Sequence, residues 1–192
     1  MDTISTILDN TFLVISVVGV HAGEPLAEIF IRKQGEIDKI GKSFWLIKSF
    51  RAKTDDIQRI GLAASEIQQE IYCIFIAPAQ TEGAKPTSSL AAAKQYSENG
   101  SRWLNVPDEI HTTGKINTHS TCLVLGSLDL TENNMIDLWE YSDFREQEKA
   151  ITLSRGASTV CAVKKHREGM KSRMRGVVGF GRLVFPYAVY IK

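Results

Sequence analysis

Thr11 to Val18 is a nearly continuous apolar, β-branched run, the pattern of a strand covered on both faces. The turn-forming stretch from Gly19 to Pro25 ends it. Ala27 to Lys33 predicts a second strand and Ser43 to Phe50 a third, spaced closely enough for an antiparallel meander. A helix follows, because Ile57, Ile60, Ala64, Ile67 and Ile71 recur at three- and four-residue steps and form one stripe. Thr54 is placed to cap it, and Asp55 and Asp56 suit the positive end of its dipole. Gly61 costs that helix about 1 kcal/mol, so packing must support it. Ile71 to Ala77 returns to strand, and Pro78 to Ser88 is a loop. Ser89 to Glu98 predicts a short helix ended by a left-handed Gly100. Thr121 to Leu128 is a buried strand, whereas Thr131 to Phe144 fits helix and strand periodicity alike. Ser158 to Val163, Val177 to Phe185 and Tyr187 to Ile191 are strands. The fold class expected is α+β, strand-rich, with a mainly antiparallel sheet and two or three helices.

At 192 residues the chain can bury the core of a single domain spanning 1–192, with a basic, glycine-rich C-terminal segment over 155–192. Phe12 to Val20 is apolar enough for a signal-peptide core, but Asp2 and Asp9 precede it without a Lys or Arg, so a buried first strand is expected instead. No apolar stretch reaches the ~18 residues of a membrane helix, and a cytoplasmic location is expected. Cys73, Cys122 and Cys161 each lie in an apolar run, an odd set without paired spacing, which predicts reduced core thiols.

Charge is segregated along the chain. Arg155 to Arg182 holds eight basic residues against the single acid Glu168, while Glu98 to Glu148 holds ten acids against three bases. Such asymmetry points to a surface for polyanions. Lys164, Lys165, Arg167, Lys171, Arg173, Arg175 and Arg182 are the candidate phosphate contacts, carried on a hairpin loop or short helix standing out from a sheet between two apolar strands. The following Gly176, Gly179 and Gly181 would allow close backbone approach to a polyanion. Phe180, Phe185, Tyr187 and Tyr190 offer rings for stacking on bases, although Val184, Tyr187, Val189 and Ile191 also alternate like a half-buried strand. The expected function is non-catalytic binding of RNA or single-stranded DNA. Five alternatives stay open: a solvated basic hairpin without a ligand, a protein–protein interaction subunit using the same charged surfaces, a homo-oligomer, mutual neutralisation of the two segments within one molecule, or a phosphodiesterase or nuclease with His111 or His119 as acid/base.

Motifs for other chemistry fall short. Gly41-Lys42-Ser43 lacks the spacing of a phosphate loop, since five residues separate Gly35 from Gly41 and a strand follows. Leu125 to Thr131 resembles the Gly-Ser-x-Asn segment of phospholipase D-type phosphodiesterases, with His111 upstream, but Thr113 stands where that chemistry needs Lys and Asp129 where it needs Asn. A nuclease would have to use His111 or His119 as acid and base. Zinc ligation would need His119, Cys122, Cys161 and His166, which contain no Cys-x-x-Cys, so neither metal nor cofactor is expected. Ser43 to Phe50 followed by Asp55-Asp56-Ile57 is similar to the opening strand and helix of YTH- and EVE-type modules. That resemblance implies modified-base binding in an aromatic cage, for which Trp103 and Trp139 are the tryptophans left. The glycine-rich C-terminus beside basic residues resembles the RAMP-type RNA-binding proteins of CRISPR systems.

Overall fold

The computed structural model describes residues 3–18, 25–47, 51–77, 91–114, 116–117, 120–153, 158–167 and 171–192. In chain order its elements are α1 (Ile4–Leu8), β1 (Phe12–Val17), α2 (Leu26–Ile40), β2 (Ser43–Ile47), α3 (Thr54–Glu66) and β3 (Tyr72–Ile76). Short strands follow: β4 (Ala91–Ala92), β5 (Gln95–Ser97), β6 (Leu104–Asn105) and β7 (Thr113–Gly114). The chain ends with β8 (Ser120–Leu125), β9 (Asp129–Asp137), a 3-10 turn at Leu138–Glu140, β10 (Tyr141–Asp143), β11 (Thr159–Lys164) and β12 (Met174–Ile191). The protein is a strand-rich α+β fold with a large, mostly antiparallel sheet.

β12 organises it. Its first half pairs with β3 on one side and β9 on the other; its second half pairs with β8 and β5. One strand therefore belongs to two sheets, ordered β10-β11-β1-β3-β12-β9 and β2-β8-β12-β5-β6. β1 and β3 are the parallel pair. β12 bends between the halves, where the Phe185–Pro186 peptide is cis and Tyr187 has φ 68°.

The first sheet is curled on itself. β9 and β10 are its opposite edges, yet three residues of tight 3-10 turn join them. Leu13, Ile15 and Val17 of β1, Tyr72, Ile74 and Ile76 of β3, and Val160 and Ala162 of β11 line the inside with Ile136, Tyr141 and Val177. α1 adds Ile7 to this cluster. On the outer face α2 and α3 pack Phe30, Ile37, Ile57, Ile60 and Ala64 against Val14, Cys73 and Phe75.

Several sequence expectations are corrected here. Ala27 to Lys33 is not a strand but the first half of α2, whose buried positions are Phe30, Lys33, Glu36 and Ile37. Two of those four are charged, so the apolar stripe of the helix is broken, while exposed Ile31 completes a misleading apolar triplet. Ser89 to Glu98 is not a helix. Its described part forms β4 and β5, because Lys94 and Gln95 donate their amides to the Lys192 carbonyl and Ala93 donates to Thr112; tertiary pairing overrides the alanine run. Gly100 is left-handed as expected, but in the turn after β5. Thr54 does not cap α3. It lies in the first turn with its hydroxyl 3.0 Å from that of Thr121, and Asp56 accepts the Lys53 amide instead. The ambiguous stretch from Thr131 resolves as strand, turn and strand.

Gly61 has a packing reason. A Cβ there would lie 2.4 Å from the Tyr187 ring, so the glycine lets β12 rest directly on α3. All three cysteines are buried and free, as expected. Burial pushes the Cys122 thiol up to about 12, against the attraction of nearby Lys33.

Candidate functional site

The curl of the first sheet brings its two edges together at Leu138–Glu140, and described residues on either side of the β11–β12 connection bond to that seam. The Lys165 amide donates to the Glu140 carbonyl at 2.7 Å, and the Leu138 amide donates to the Arg173 carbonyl at 3.1 Å. Trp139 sits between these bonds. The guanidinium groups of Arg167 and Arg173 and the ammonium of Lys171 lie 5.6, 5.7 and 5.5 Å from the centre of its ring. Each is within reach of the ring quadrupole.

Backbone oxygens and hydroxyls hold these cations. Arg167 donates to the Glu148 carbonyl and the Ser142 hydroxyl. Arg173 donates from Nη1 to the Ile151 carbonyl at 2.9 Å and the Thr152 hydroxyl at 2.8 Å. Among the described residues no carboxylate lies within ion-pair distance of Arg167, Lys171 or Arg173. Among the described residues their charge is therefore not compensated by an ion pair. Two donors of the cluster, Trp139 Nε1 and Arg167 Nε, are buried without an acceptor among the described residues.

Asp137 anchors the seam from below. Its Oδ1 accepts the Arg173 amide at 2.7 Å and the Trp139 amide at 2.9 Å. Burial pushes the Asp137 carboxyl up, but those amides and the Ser172 hydroxyl outweigh it and hold the group below its ordinary value. A depressed carboxyl stabilises the fold above its unfolded pKa and loses that contribution as pH falls through the folded one. Asp137→Asn is therefore expected to flatten part of the acid sensitivity. The loss of urea midpoint between about pH 5 and pH 3 should be smaller than in the wild type; an identical loss would contradict this role.

The seven candidate contacts do not share one site. Arg167, Lys171 and Arg173 converge on Trp139, and Lys165 adjoins them through its amide. Lys164 pairs with Tyr141 in the strand ladder, but its ammonium turns to Asp9 at 2.8 Å and the Leu8 carbonyl at 2.9 Å. Arg175 donates to the Ala77 carbonyl. Arg182, seven residues further along β12, bridges Glu70 at 2.6 Å. The carrier is also not a hairpin, because β11 and β12 are not neighbours: β1 and β3 lie between them in the sheet. Nor do the glycines form an open phosphate loop. They lie within β12, where a Cβ on Gly179 or Gly181 would meet the Asp129 or Ser127 carbonyl at 2.7 Å. The close approach is made by the chain itself.

The basic and acidic segments meet at Trp139 and Ser142 without an ion pair between them among the described residues; Lys164 pairs instead with Asp9 and Arg182 with Glu70, both outside the acidic stretch. Arg51 was not among the sequence candidates; it donates to the Thr152 carbonyl beside Arg173 and pairs with Asp143 at 2.9 Å. Trp139 was read only as a cage candidate. Trp103 lies under Lys192, 4.0 Å from its ring centre, and Lys192 follows the far end of β12, so the two tryptophans share no cage.

The residues considered for other chemistry are dispersed. Gly41 ends α2 with φ 76° and is followed by β2, the reverse of a phosphate loop's strand-to-helix order. His111 is exposed, with Nδ1 4.0 Å from Glu36, a carboxylate already bound by Lys33, Ser43 and the His111 amide. His119 lies outside the described residues. Cys122 and Cys161 belong to different core clusters. Among the described residues no three metal-ligating side chains gather, and no helix is long and apolar enough to cross a membrane. No protein family, characterised protein or solved structure matches this chain.

Proposed function

We propose that this protein binds single-stranded nucleic acid, RNA or DNA, without catalysis, through the cationic cluster on Trp139. One observation carries this reading: Arg167, Lys171 and Arg173 converge on one indole with no carboxylate partner among the described residues. Like charges held together repel, so such a cluster favours an anion that neutralises them. The ring and the carbonyls behind it fix two guanidinium groups in place, which lowers the ordering cost when a phosphate arrives. Lys171 and Arg173 are exposed. Single strands fit better than a duplex, since the cluster is compact and an aromatic ring lies within it. With its buried free thiols, the chain suits the cytoplasm.

The test is fluorescence anisotropy with labelled single- and double-stranded RNA and DNA across a salt series. Three phosphate contacts give a slope of log K against log[salt] of about −2 for a single strand. Lys171→Glu/Arg173→Glu, which alters two exposed side chains, is expected to abolish measurable binding at about 100 mM salt. Weak binding with a flat salt dependence to every probe would sink the proposal and assign the cluster to an acidic protein partner.

A further inference from the structure

Arg182 does not reach the Trp139 cluster, and its surroundings form a separate site. Where β12 bends beside the C-terminal end of α3, a cleft of about 320 Å³ opens, lined among others by Gln68, Gln69, Glu70, Arg182, Phe185 and Tyr187. Phe185 is 71% exposed, and its ring stands edge-on to Tyr187, with centroids 6.0 Å apart at 81°. Tyr187 is fixed from behind by Gly61 of α3. Among the described residues, three non-glycines have positive φ: Gln68 at 56°, Asn133 at 60° and Tyr187 at 68°. Two of the three flank this cleft, and neither Gln nor Tyr favours that conformation. Such outliers persist where the surrounding structure fixes them, and they cluster at binding sites.

We propose that this cleft binds a nucleobase, either of a free nucleotide or of an unpaired residue in a strand. The exposed face of Phe185 offers a stacking surface for a flat ring. The Gln68 carboxamide supplies donor and acceptor together, which the edge of a heterocycle needs. Glu70, held at 2.6 Å by Arg182 and at 2.9 Å by the Tyr72 hydroxyl, presents a carboxylate for an exocyclic amine. The volume lies at the small end for ligand sites and suits one ring system rather than a peptide. This inference stands on the cleft and does not require the Trp139 cluster.

Saturation-transfer NMR with AMP, GMP, CMP and UMP tests it alongside anisotropy with labelled A and U oligonucleotides. The wild type is expected to transfer saturation to at least one base. Phe185→Ala should remove that signal and Phe185→Trp should retain it. Because Phe185 is exposed, the truncation leaves the core intact. If the base belongs to a strand, Phe185→Ala also weakens the oligonucleotide about tenfold without changing the salt slope. If only the mononucleotide signal falls, the cleft serves free nucleotides. Lys171→Glu/Arg173→Glu should keep the mononucleotide signal while losing the oligonucleotide. An absence of oligonucleotide binding by the wild type defeats the reading of the Trp139 cluster and leaves this one to the NMR. No saturation transfer to any nucleotide, or an equal signal from Phe185→Ala, overturns the cleft proposal.

Discussion

Glu36→Gln is expected to destabilise the protein by about 3–5 kcal/mol, because it removes the counter-charge of a buried ammonium. Lys33 and Glu36 are 5% and 4% exposed. Lys33 Nζ donates to Glu36 at 2.9 Å and to the His111 carbonyl at 2.7 Å. Glu36 also accepts from the Ser43 hydroxyl at 2.5 Å and the His111 amide at 3.1 Å. One carboxylate thus ties α2 to β2 and to the segment before β7. The amide variant keeps the shape but leaves Lys33 buried without a counter-charge, held only by neutral acceptors such as the His111 carbonyl. A double replacement, Lys33→Met/Glu36→Leu, removes both desolvation costs and should recover most of the loss, although the Ser43 hydroxyl and His111 amide then lack an acceptor.

The pH dependence separates this account from a packing defect. Burial lowers the Lys33 pKa, and the attraction of Glu36 offsets part of that effect. Without Glu36 the pKa falls further. The unfolded variant then binds more protons than the folded one over a wider window, so its stability rises with pH from the folded value to the ordinary lysine range. Urea midpoints of Glu36→Gln should therefore climb toward the wild type as pH rises above neutrality toward the ordinary lysine range. A variant within about 1 kcal/mol of the wild type at neutral pH, or one with no such climb, would contradict the assignment.

The same pair shows why α2 was illegible in the sequence. A helix announces itself by an apolar stripe, and here two of the four buried positions carry charge. The strands β1, β3, β8 and β11 were legible because they are buried on both faces and read as continuous apolar runs. For the candidate site, composition located the cations but not their neighbours. Lys165, Arg167, Lys171 and Arg173 meet because the sheet curls until β9 and β10 adjoin, a consequence of strand order that no local pattern encodes. Arg182 is as basic as the others, yet the length of β12 places it at a different cleft. Trp139 becomes the focus only when both edges of the sheet are in place.

Phe75→Ala is the second large loss expected, about 3–5 kcal/mol, or roughly 10 °C in Tm for a chain of this size. Phe75 is fully buried on β3, with its ring 5.6 Å from Phe30 at 77° and 4.5 Å from Trp45 at 46°. These three rings fasten α2 and β2 to the outer face of the curled sheet. Phe75 is also paired across the ladder with Gly179, and there the packing is tightest. A Cβ on Gly179 would lie 2.4 Å from Phe30 and 2.7 Å from the Asp129 carbonyl. Gly179→Ala alone should cost about 1–3 kcal/mol through overpacking. The two changes share Phe30 as a neighbour, so they should not add. Truncating Phe75 opens space into which Phe30 can retreat from the new methyl group, while the Asp129 carbonyl stays in its way. The double variant is therefore expected to lose less than the sum of the singles by more than the ~0.5 kcal/mol that independent sites show. Denaturant titration of all four proteins measures the difference, and strict additivity would mean that Phe30 does not link β12 to the aromatic cluster.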